Sequence, residues 1–356
     1  MLLVGTVIVL NIIGVVMVLS ASSVVSLTTY GSAWYFFQRQ LVWTLLGAAG
    51  FVIAMRTDYH QWRRLIRPLL IGSAGLLVLV LVPHVGTTAG GAQRWLGIGV
   101  WRFQPTELAK LALLLYAADV LTRRENEVHD WRVSVRPVLL VLVGFGALVC
   151  LQPDLDSALL LGVIVASVLV AGGVRLWHLM VVGGSGTALV GALALSASYR
   201  RARVLTFLHP MADASNTGYQ IAQSLIALGS GGPTGVGLGA GRAKWLFLPN
   251  AHTDFIFAVI GEEVGLLGTL IVLGLFVAFA ALGIRTAMHA RDRFGMLLAT
   301  GVTVWVVAQA AVNIGGVVGL LPVSGIPLPF VSFGGSSLVF TMFGAGMLAN
   351  VSRQAR

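Results

Sequence analysis

The sequence predicts an all-α polytopic membrane protein that forms a single integral membrane domain over residues 1–356. Hydrophobic residues make up 57% of the 356 residues and charged residues only 10%, and the mean hydropathy is +0.90. Soluble domains carry about 25% charged residues, so this composition is adapted to lipid. Apolar runs recur along the chain, and about 20 apolar residues suffice to cross the hydrocarbon core of a bilayer.

Ten apolar runs predict ten transmembrane helices, an even number that places both termini on one side of the membrane. The first run begins at Leu2 without a preceding basic segment, so we expect a retained helix rather than a cleaved signal. The predicted spans are 2–21, 39–56, 67–84, 106–122, 136–151, 157–172, 176–196, 254–284, 294–321 and 330–350.

The distribution of arginine and lysine between the loops predicts the orientation of the chain. One set of loops carries fourteen arginines, and the other set carries seven arginines and Lys244. Cytoplasmic loops are enriched in basic residues close to helix ends. We therefore expect an inner-membrane protein with both termini in the cytoplasm and a long extracytoplasmic loop, residues 197–253, between helices seven and eight.

The net charge of +10 could indicate either a nucleic-acid partner or an anionic membrane. Because the few charges lie among hydrophobic spans, anionic membrane lipids and phosphate-bearing lipids explain it better, and no nucleic acid is expected. The single cysteine, Cys150, permits no intramolecular disulfide and no cysteine-based metal cluster. No HExxH motif occurs either, so no metal site is predicted.

The predicted external loop contains an amphipathic segment followed by a glycine-rich one. Residues 219–228 could lie in the membrane interface or dip into the bundle, with an apolar face of Ile221, Leu225 and Leu228 and a polar face of Gln220, Gln223 and Ser224. The sequence GSGGPTGVGLGAG that follows is either a flexible linker or a loop that brings backbone N–H groups close to phosphate. It is not a P-loop, because no Gly-Lys-Ser/Thr follows it.

Acidic residues are the candidate acid–base groups, since ionisable groups within membranes are costly and are usually functional or paired. Of thirteen acids, four are predicted at the outer face, namely Asp154, Asp156, Asp213 and Asp254. If acid–base chemistry takes place outside, its carboxylate is expected among these four.

Asp254 is the strongest of these acids because it lies at the start of a predicted long helix, beside the external loop. A capping role is the alternative, since a carboxylate in the first helical turn is favoured by the helix dipole. His252 is close in sequence, although a histidine here is more often a satisfied interface residue. Ala258, Gly261 and Gly265 share the Asp254 face, where they leave a groove or allow tight helix packing.

Other buried charges have structural explanations available. Asp154 precedes a predicted helix, and an N-cap role is favoured over catalysis. Glu107 and Lys110 are three residues apart, so they share a helix face and are expected to form a buried pair. Glu262 and Glu263 lie well inside the eighth span and are expected to make structural polar contacts.

Several segments together resemble the SEDS family, the shape, elongation, division and sporulation proteins that polymerise peptidoglycan. The resemblance runs from the first helix to the C-terminus. Its segments are GAQRWLGIG, WRFQPTELAKLAL, QPDLDSALL, GYQIAQSLIALGSGG, FLPNAHTDFIFAVIGEE and NIGGVVGLLPVSGIPLPFVSFGGSSL.

Two positions depart from the family pattern. Asp156 stands where the resemblance predicts glycine, and Asn250 replaces the glutamate usual in LPE, so no role transfers to Asn250. Within the family, four segments are more similar to FtsW, the cell-division member, in its actinobacterial form: VMVLSASS, SAWYFFQRQLVW, YRRARVLTFLHP and LPNAHTDFIF. GIPLPFVS is also common in RodA, the elongation member, so a role in elongation and cell shape is the alternative.

The resemblance implies an inverting glycosyltransferase that polymerises lipid II at the outer face of the membrane. Asp254 would be the catalytic base, and cations among Arg94, Arg200, Arg201, Arg203, Arg242 and Lys244 would stabilise the leaving pyrophosphate, with or without a divalent cation such as Mg²⁺ or Mn²⁺. Polar residues of the matching segments are the substrate-binding candidates: Arg94, Trp95, Gln104, Glu107, Lys110, Gln152, Asp154, Arg200, Arg203, Gln220, Gln223, Ser224, Lys244, His252, Ser332 and Ser336.

The same resemblance implies partners, namely lipid II, a glycan linked to undecaprenyl pyrophosphate, and a class B penicillin-binding protein as transpeptidase. The chain has no Ser-x-x-Lys signature of its own, so crosslinking must come from elsewhere. A lipid II flippase is the competing class, although no inverted repeat is evident. A scaffold that only recruits a transpeptidase is the third reading.

Overall fold

The computed structural model describes residues 1–89, 92–98, 101–175, 177–178, 180, 183–184 and 218–355, and most of its regular elements are helices. The helices are α1 (Leu2–Tyr30), α2 (Tyr35–Arg56), α3 (Ile66–Leu81), α4 (Pro105–Arg123), α5 (Arg136–Leu151), α6 (Leu155–Ala171), α7 (Tyr219–Gly231), α8 (Ile256–Met288), α9 (Arg293–Val317) and α10 (Ser336–Gln354). Short 3₁₀ or π turns occupy Tyr59–Leu65, Glu125–Glu127, Trp131–Val135 and Ala243–Phe247.

Within the described part of the chain, six helical stretches are long and apolar enough to cross a membrane. They are Leu2–Tyr30, Tyr35–Arg56, Tyr59–Leu81, Trp131–Leu151, Ile256–Met288 and Arg293–Val317. The predicted span 176–196 lies almost entirely outside the described residues, and each other predicted span overlaps a helix. The polytopic, mainly helical prediction is confirmed, and the number of ten transmembrane helices stays a prediction.

The first helix extends beyond its predicted apolar run of 2–21. The residues that continue it include Ser22 and Thr28, whose hydroxyls donate to carbonyls one turn earlier at 2.6 and 3.0 Å. Hydroxyl groups satisfied in this way can remain in an apolar helix. The helix ends at Gly31, which adopts a left-handed conformation with φ 72°, a geometry that glycine accepts at a helix C-terminus.

A small antiparallel sheet corrects the all-α prediction. Its strands are β1 (Thr87–Ala89), β2 (Ala92–Ile98) and β3 (Trp101–Phe103), in the order β1-β2-β3. The register pairs Thr87 with Trp95 and Leu96 with Phe103. Strands β1 and β3 are too short to show a hydropathy period, and β2 (AQRWLGI) does not alternate polar and apolar residues, so the pattern did not predict them.

The C-terminal predicted spans are displaced in the structure. Helix α9 ends at Val317 rather than at 321, and α10 begins at Ser336 rather than at 330. Gly319 at φ 75° and Gly335 at φ 51° adopt backbone angles that glycine tolerates, and three prolines lie between them. Proline removes a backbone donor and disfavours helix before it, so an apolar composition alone overestimates both helices.

The described contacts group into two compact units. Unit 1 comprises Met1–Leu45, Thr187–Phe279 and Gln309–Gly334, and unit 2 comprises Leu46–Gly186, Ala280–Ala308 and Gly335–Arg356. In unit 1, Gly14 of α1 lies so close to Phe330 and Val331 that a Cβ atom would meet their backbone. In unit 2, α4 is buried along most of its length, and its Leu114 packs against Gly301 of α9.

Candidate active site

In unit 1, Asp254 lies in a turn that immediately precedes α8. The helix begins at Ile256, so Asp254 lies just before it. The sequence had predicted Asp254 in the first helical turn. Asn250 opens the turn with φ 58°, a left-handed conformation that asparagine tolerates better than most residues. Its carbonyl oxygen accepts the N–H groups of Thr253 and Phe255 at 3.1 and 3.3 Å.

Asn313 of α9 fixes the backbone of Asp254. Its side-chain amide donates to the carbonyl oxygens of Asp254 and Ile326 at 2.8 and 2.9 Å. Asn313 is itself buried, whereas Asp254 is half-buried. A held backbone and partial exposure to solvent are compatible with a general base, which must come within hydrogen-bond reach of a substrate proton.

His252 lies in an apolar environment in the same turn. Its ring centroid is 4.5 Å from that of Phe36 and 5.9 Å from that of Phe333. Burial lowers the pKa of His252 to about 4, so the ring is neutral at pH 7. Within the described part of the chain, its Nδ1 has no hydrogen-bond partner. The interface histidine that the sequence favoured fits this packing.

Ser332 joins the loop that precedes α10 to the Asp254 turn. Its hydroxyl donates to the carbonyl of Thr253 at 2.5 Å and accepts the Leu328 N–H at 2.9 Å. A second bond runs from the Phe333 N–H to the carbonyl of His252 at 3.0 Å. The hydroxyl of Ser332 is therefore occupied by backbone, and a contact with substrate remains a prediction.

Helix α7 buries Ile221 of its predicted apolar face and also one residue of its predicted polar face. Ser224, assigned to the polar face, is fully buried and donates to the Val317 carbonyl at 2.7 Å. Gln220 and Gln223 are half-buried. A hydroxyl bonded to a carbonyl can face a helix contact, and hydropathy cannot distinguish this case from an exposed serine.

Lys244 is buried in unit 1 against a carboxylate. Its ammonium lies 3.2 Å from Glu263 Oε1, and it also donates to the carbonyl of Gly239. Ser20 of α1 donates to both oxygens of Glu263 at 2.6 and 2.7 Å. Glu262 accepts the backbone N–H groups of Arg242 and Ala243. The structural polar contacts expected for the two glutamates are confirmed.

The predicted groove beside Asp254 contains a break and a helix contact. Gly265 interrupts α8 with φ 76° and ψ −167°. Gly261 lies against the side chain of Leu228 in α7, and a Cβ atom there would collide with it. Tight packing, the alternative left open by the sequence, is thus the observed use of Gly261.

In unit 2, a polar cluster joins β2, α4, α6 and α10. Arg94 Nη1 lies 3.5 Å from Asp154 Oδ1, and the Gln104 side chain donates to Asp154 Oδ2 at 3.2 Å. Asp154 also accepts the Ser157 N–H at 3.3 Å, which confirms the predicted N-cap. Ser336 accepts the backbone N–H of Gln104 at 3.0 Å. Four predicted substrate-binding residues are therefore linked in series, from Arg94 through Asp154 and Gln104 to Ser336.

The predicted pair of Glu107 and Lys110 is confirmed inside the same unit. The ammonium and carboxylate are 2.8 Å apart, both residues are buried, and the ammonium lies 5.1 Å from the ring centroid of Trp305. Gln152 is also fully buried and donates to the Leu77 carbonyl at 3.0 Å. Trp95 is half-buried in β2.

Several of the predicted site residues lie outside the part of the chain that the structure describes, and one residue that contacts Asp254 was not predicted. Arg200, Arg201, Arg203 and Asp213 lie outside the described residues. Asn313, which holds Asp254, was not predicted; an asparagine within an apolar run was the available signal, because polar groups in membranes are retained when they bond.

No metal site accompanies these clusters in the described part of the chain. Within it, no group of three or more His, Cys, Asp or Glu side chains is arranged to hold a metal ion. The described residues therefore do not identify ligands for the divalent cation that the resemblance left open.

Comparison with known proteins identifies the family. The family model described as "Cell cycle protein", which covers FtsW, RodA and SpoVE, matches residues 1–356. The probable peptidoglycan glycosyltransferase FtsW of Geobacter metallireducens is 42% identical over 347 residues, or 98% of this chain and 92% of the relative. Stage V sporulation protein E of Bacillus subtilis is 38% identical over 357 residues, or 100% of this chain and 97% of the relative.

A solved structure supports the same assignment. It is described as "Structural coordination of polymerization and crosslinking by a peptidoglycan synthase complex", and one of its chains is 31% identical to this one. The TM-score is 0.80, with 99% of this chain and 97% of that chain covered. The chain therefore belongs to the FtsW/RodA/SpoVE family of cell cycle proteins.

Proposed function

We propose that this protein is a multi-pass membrane glycosyltransferase that polymerises lipid II into glycan strands for septal cell-wall synthesis. The full-length family match and relatives named as peptidoglycan glycosyltransferases support this activity. The proposal includes an outward-facing active site and cytoplasmic termini, which the distribution of basic residues favours.

One observation supports Asp254 as the catalytic base: the residue is half-buried in a turn whose backbone is held by Asn313. In the proposed step, the 4-hydroxyl oxygen of the GlcNAc residue of lipid II attacks C1 of the lipid-linked MurNAc. Asp254 takes the hydroxyl proton, the bond from C1 to the pyrophosphate oxygen breaks, and undecaprenyl pyrophosphate leaves with inversion at C1. General-base catalysis contributes about 10²–10⁴-fold.

The leaving pyrophosphate requires cationic stabilisation. Lys244 and Arg94 are each engaged by a carboxylate. Arg242 has an exposed side chain, while its backbone N–H is held by Glu262. We assign the pyrophosphate contact to Arg242 together with Arg200, Arg201 and Arg203.

The test is a lipid II polymerisation assay in nanodiscs, with the protein alone and with its co-purified class B penicillin-binding protein. Asp254→Asn should lower the rate about 10²–10⁴-fold without loss of purified protein, and the partner should raise the wild-type rate. Asp156→Asn is the matched control, because that acid is absent from the family pattern, and it should retain activity.

Near-normal activity of folded Asp254→Asn would overturn the catalytic assignment. Lipid II scrambling without polymer from the wild-type complex would instead identify a flippase, and neither activity would identify a scaffold.

A further inference from the structure

The glycine-rich segment 229–241 is bonded to the break in α8. Four backbone hydrogen bonds of 2.9–3.1 Å join them in a reciprocal pattern. The N–H groups of Val236 and Gly237 donate to the backbone carbonyls of Glu262 and Glu263. In return, the N–H groups of Leu266 and Leu267 donate to the backbone carbonyls of Gly232 and Pro233. A helix interruption leaves backbone groups without intrahelical partners, and here the segment supplies those partners.

Glycines permit this close approach. Gly235 has φ 83°, and a Cβ atom there would overlap the carbonyl of Glu263. Gly265 has φ 76°, and its Cβ atom would overlap the backbone of Gly235 and Pro233. Glycine is the residue that allows two backbones to meet at such angles. The segment is therefore a fitted part of unit 1 rather than a flexible linker.

Two carboxylates of α8 bind the residues that directly follow this segment. Glu262 Oε1 accepts the Arg242 N–H at 2.7 Å, and Glu262 Oε2 accepts the Ala243 N–H at 3.1 Å. Glu263 accepts the Ser20 hydroxyl and pairs with Lys244. Only 1% of Glu263 and 5% of Lys244 are exposed, so each charge depends on the other.

We propose that Glu262, Glu263 and Lys244 are positioning residues for catalysis, because they form a clasp that holds residues 232–247 on the first part of α8. This inference rests on the proposed function. The first part of α8 runs from Ile256 to the break at Gly265, and Asp254 immediately precedes it.

The clasp fixes one end of this helical part, and Asn313 fixes the backbone at the other end. Release of the clasp would let the helical part shift and carry Asp254 with it. Displacement of a catalytic group by about 1 Å can lower a rate about 100-fold. Lys244 thereby acts through Glu263 and the loop, and its ammonium is not the pyrophosphate ligand.

A double-mutant cycle distinguishes these two roles of Lys244. Lys244→Met and Glu263→Gln should each lower kcat for lipid II polymerisation about 10–100-fold with little change in KM, since positioning rather than substrate binding is lost. The double variant removes both buried charges and should regain at least about tenfold over Lys244→Met. Glu127→Gln changes an exposed acid of unit 2 outside the clasp, and this control should keep wild-type kcat and KM.

The inference is overturned if the double variant is no more active than Lys244→Met, or if Lys244→Met raises KM with kcat unchanged. The first result would show that Glu263 and Lys244 are not coupled, and the second would make the ammonium a direct substrate ligand.

Hydrogen exchange tests the clasp without any catalysis. In an Asp254→Asn background, Glu262→Ala and Lys244→Met should each accelerate amide exchange in residues 232–247, because opening exposes the bonded N–H groups. Glu127→Gln, an exposed acid in unit 2, is the control and should leave exchange unchanged. Unchanged exchange in both clasp variants would overturn the inference, whereas an inactive wild-type protein would overturn only the proposed function.

Discussion

Two buried lysine–glutamate pairs have similar chemistry, but their partners are separated by different numbers of residues in the sequence. Glu107 and Lys110 are three residues apart on α4 of unit 2, and their charged atoms are 2.8 Å apart. Lys244 and Glu263 are 19 residues apart in unit 1, and their charged atoms are 3.2 Å apart. The first pair lies within one helix, and the second joins a loop to a helix.

The separation of the partners in the sequence determines which segments each pair holds in place. A pair on adjacent turns of one helix is brought together by that helix alone. The Lys110 ammonium also lies 5.1 Å from the ring centroid of Trp305 in α9. A pair between a loop and a helix requires both segments to be in place before either charge is satisfied. We therefore expect loss of the first pair to affect stability, and loss of the second to affect stability and the position of residues 232–247.

The largest expected stability effect comes from leaving one charge unpaired. Lys110→Met should lower the free energy of unfolding by about 3–5 kcal/mol, because Glu107 remains buried without a counter-charge. The double variant Glu107→Gln/Lys110→Met should recover part of this loss. Chemical denaturation in detergent measures both, and strictly additive losses would contradict direct pairing.

A substitution at the helix break sharpens the comparison on the unit 1 side. Gly265→Ala should cost at least about 2 kcal/mol, because alanine is strained at φ 76° and its Cβ atom would overlap the backbone of Gly235. Gly274→Ala is the matched control in the same helix, since nothing lies within 4 Å of its Cβ position. Equal unfolding midpoints for the two variants would show that the loop does not constrain the break.

A smaller effect is expected at the unit 2 polar cluster. Asp154→Ala removes the α6 N-cap and should destabilise the protein by about 0.5–2 kcal/mol. Asp154→Ser can still cap the helix but carries no charge for Arg94, so it should recover the capping part alone. If both variants lose the same stability, the contact with Arg94 rather than the cap carries the effect.

The smallest effect near neutral pH involves His252. Its folded pKa of about 4 lies below the ordinary value of 6.5, so the unfolded chain binds more protons between these values. The His252 contribution is therefore fully present above pH 6.5 and is lost as the pH falls towards 4. Between pH 7 and 6 we expect a loss below about 1 kcal/mol. His252→Phe should reduce this slope in pH-dependent unfolding, and an unchanged slope would assign it to other groups.

Local patterns predicted the features that depend on neighbours in sequence. Apolar runs located the helices, spacing three apart located the Glu107–Lys110 pair, and the position of Asp154 before α6 identified its N-cap. The same reasoning failed for the short β-strands, which show no clear alternation of polar and apolar residues. It also failed for Ser224, which was assigned to a polar face and is buried.

By itself, the sequence determined a polytopic helical membrane protein, its family, and Asp254 as the candidate base. Only the tertiary structure revealed Asn313 against Asp254, the contact of Gly265 with Gly235, and the pairing of Lys244 with Glu263. The physical reason is the range of the interactions. Helix periodicity and capping act within a few residues, so composition and spacing record them. Buried polar groups need partners, and when a partner comes from a distant segment, the folded chain alone selects it.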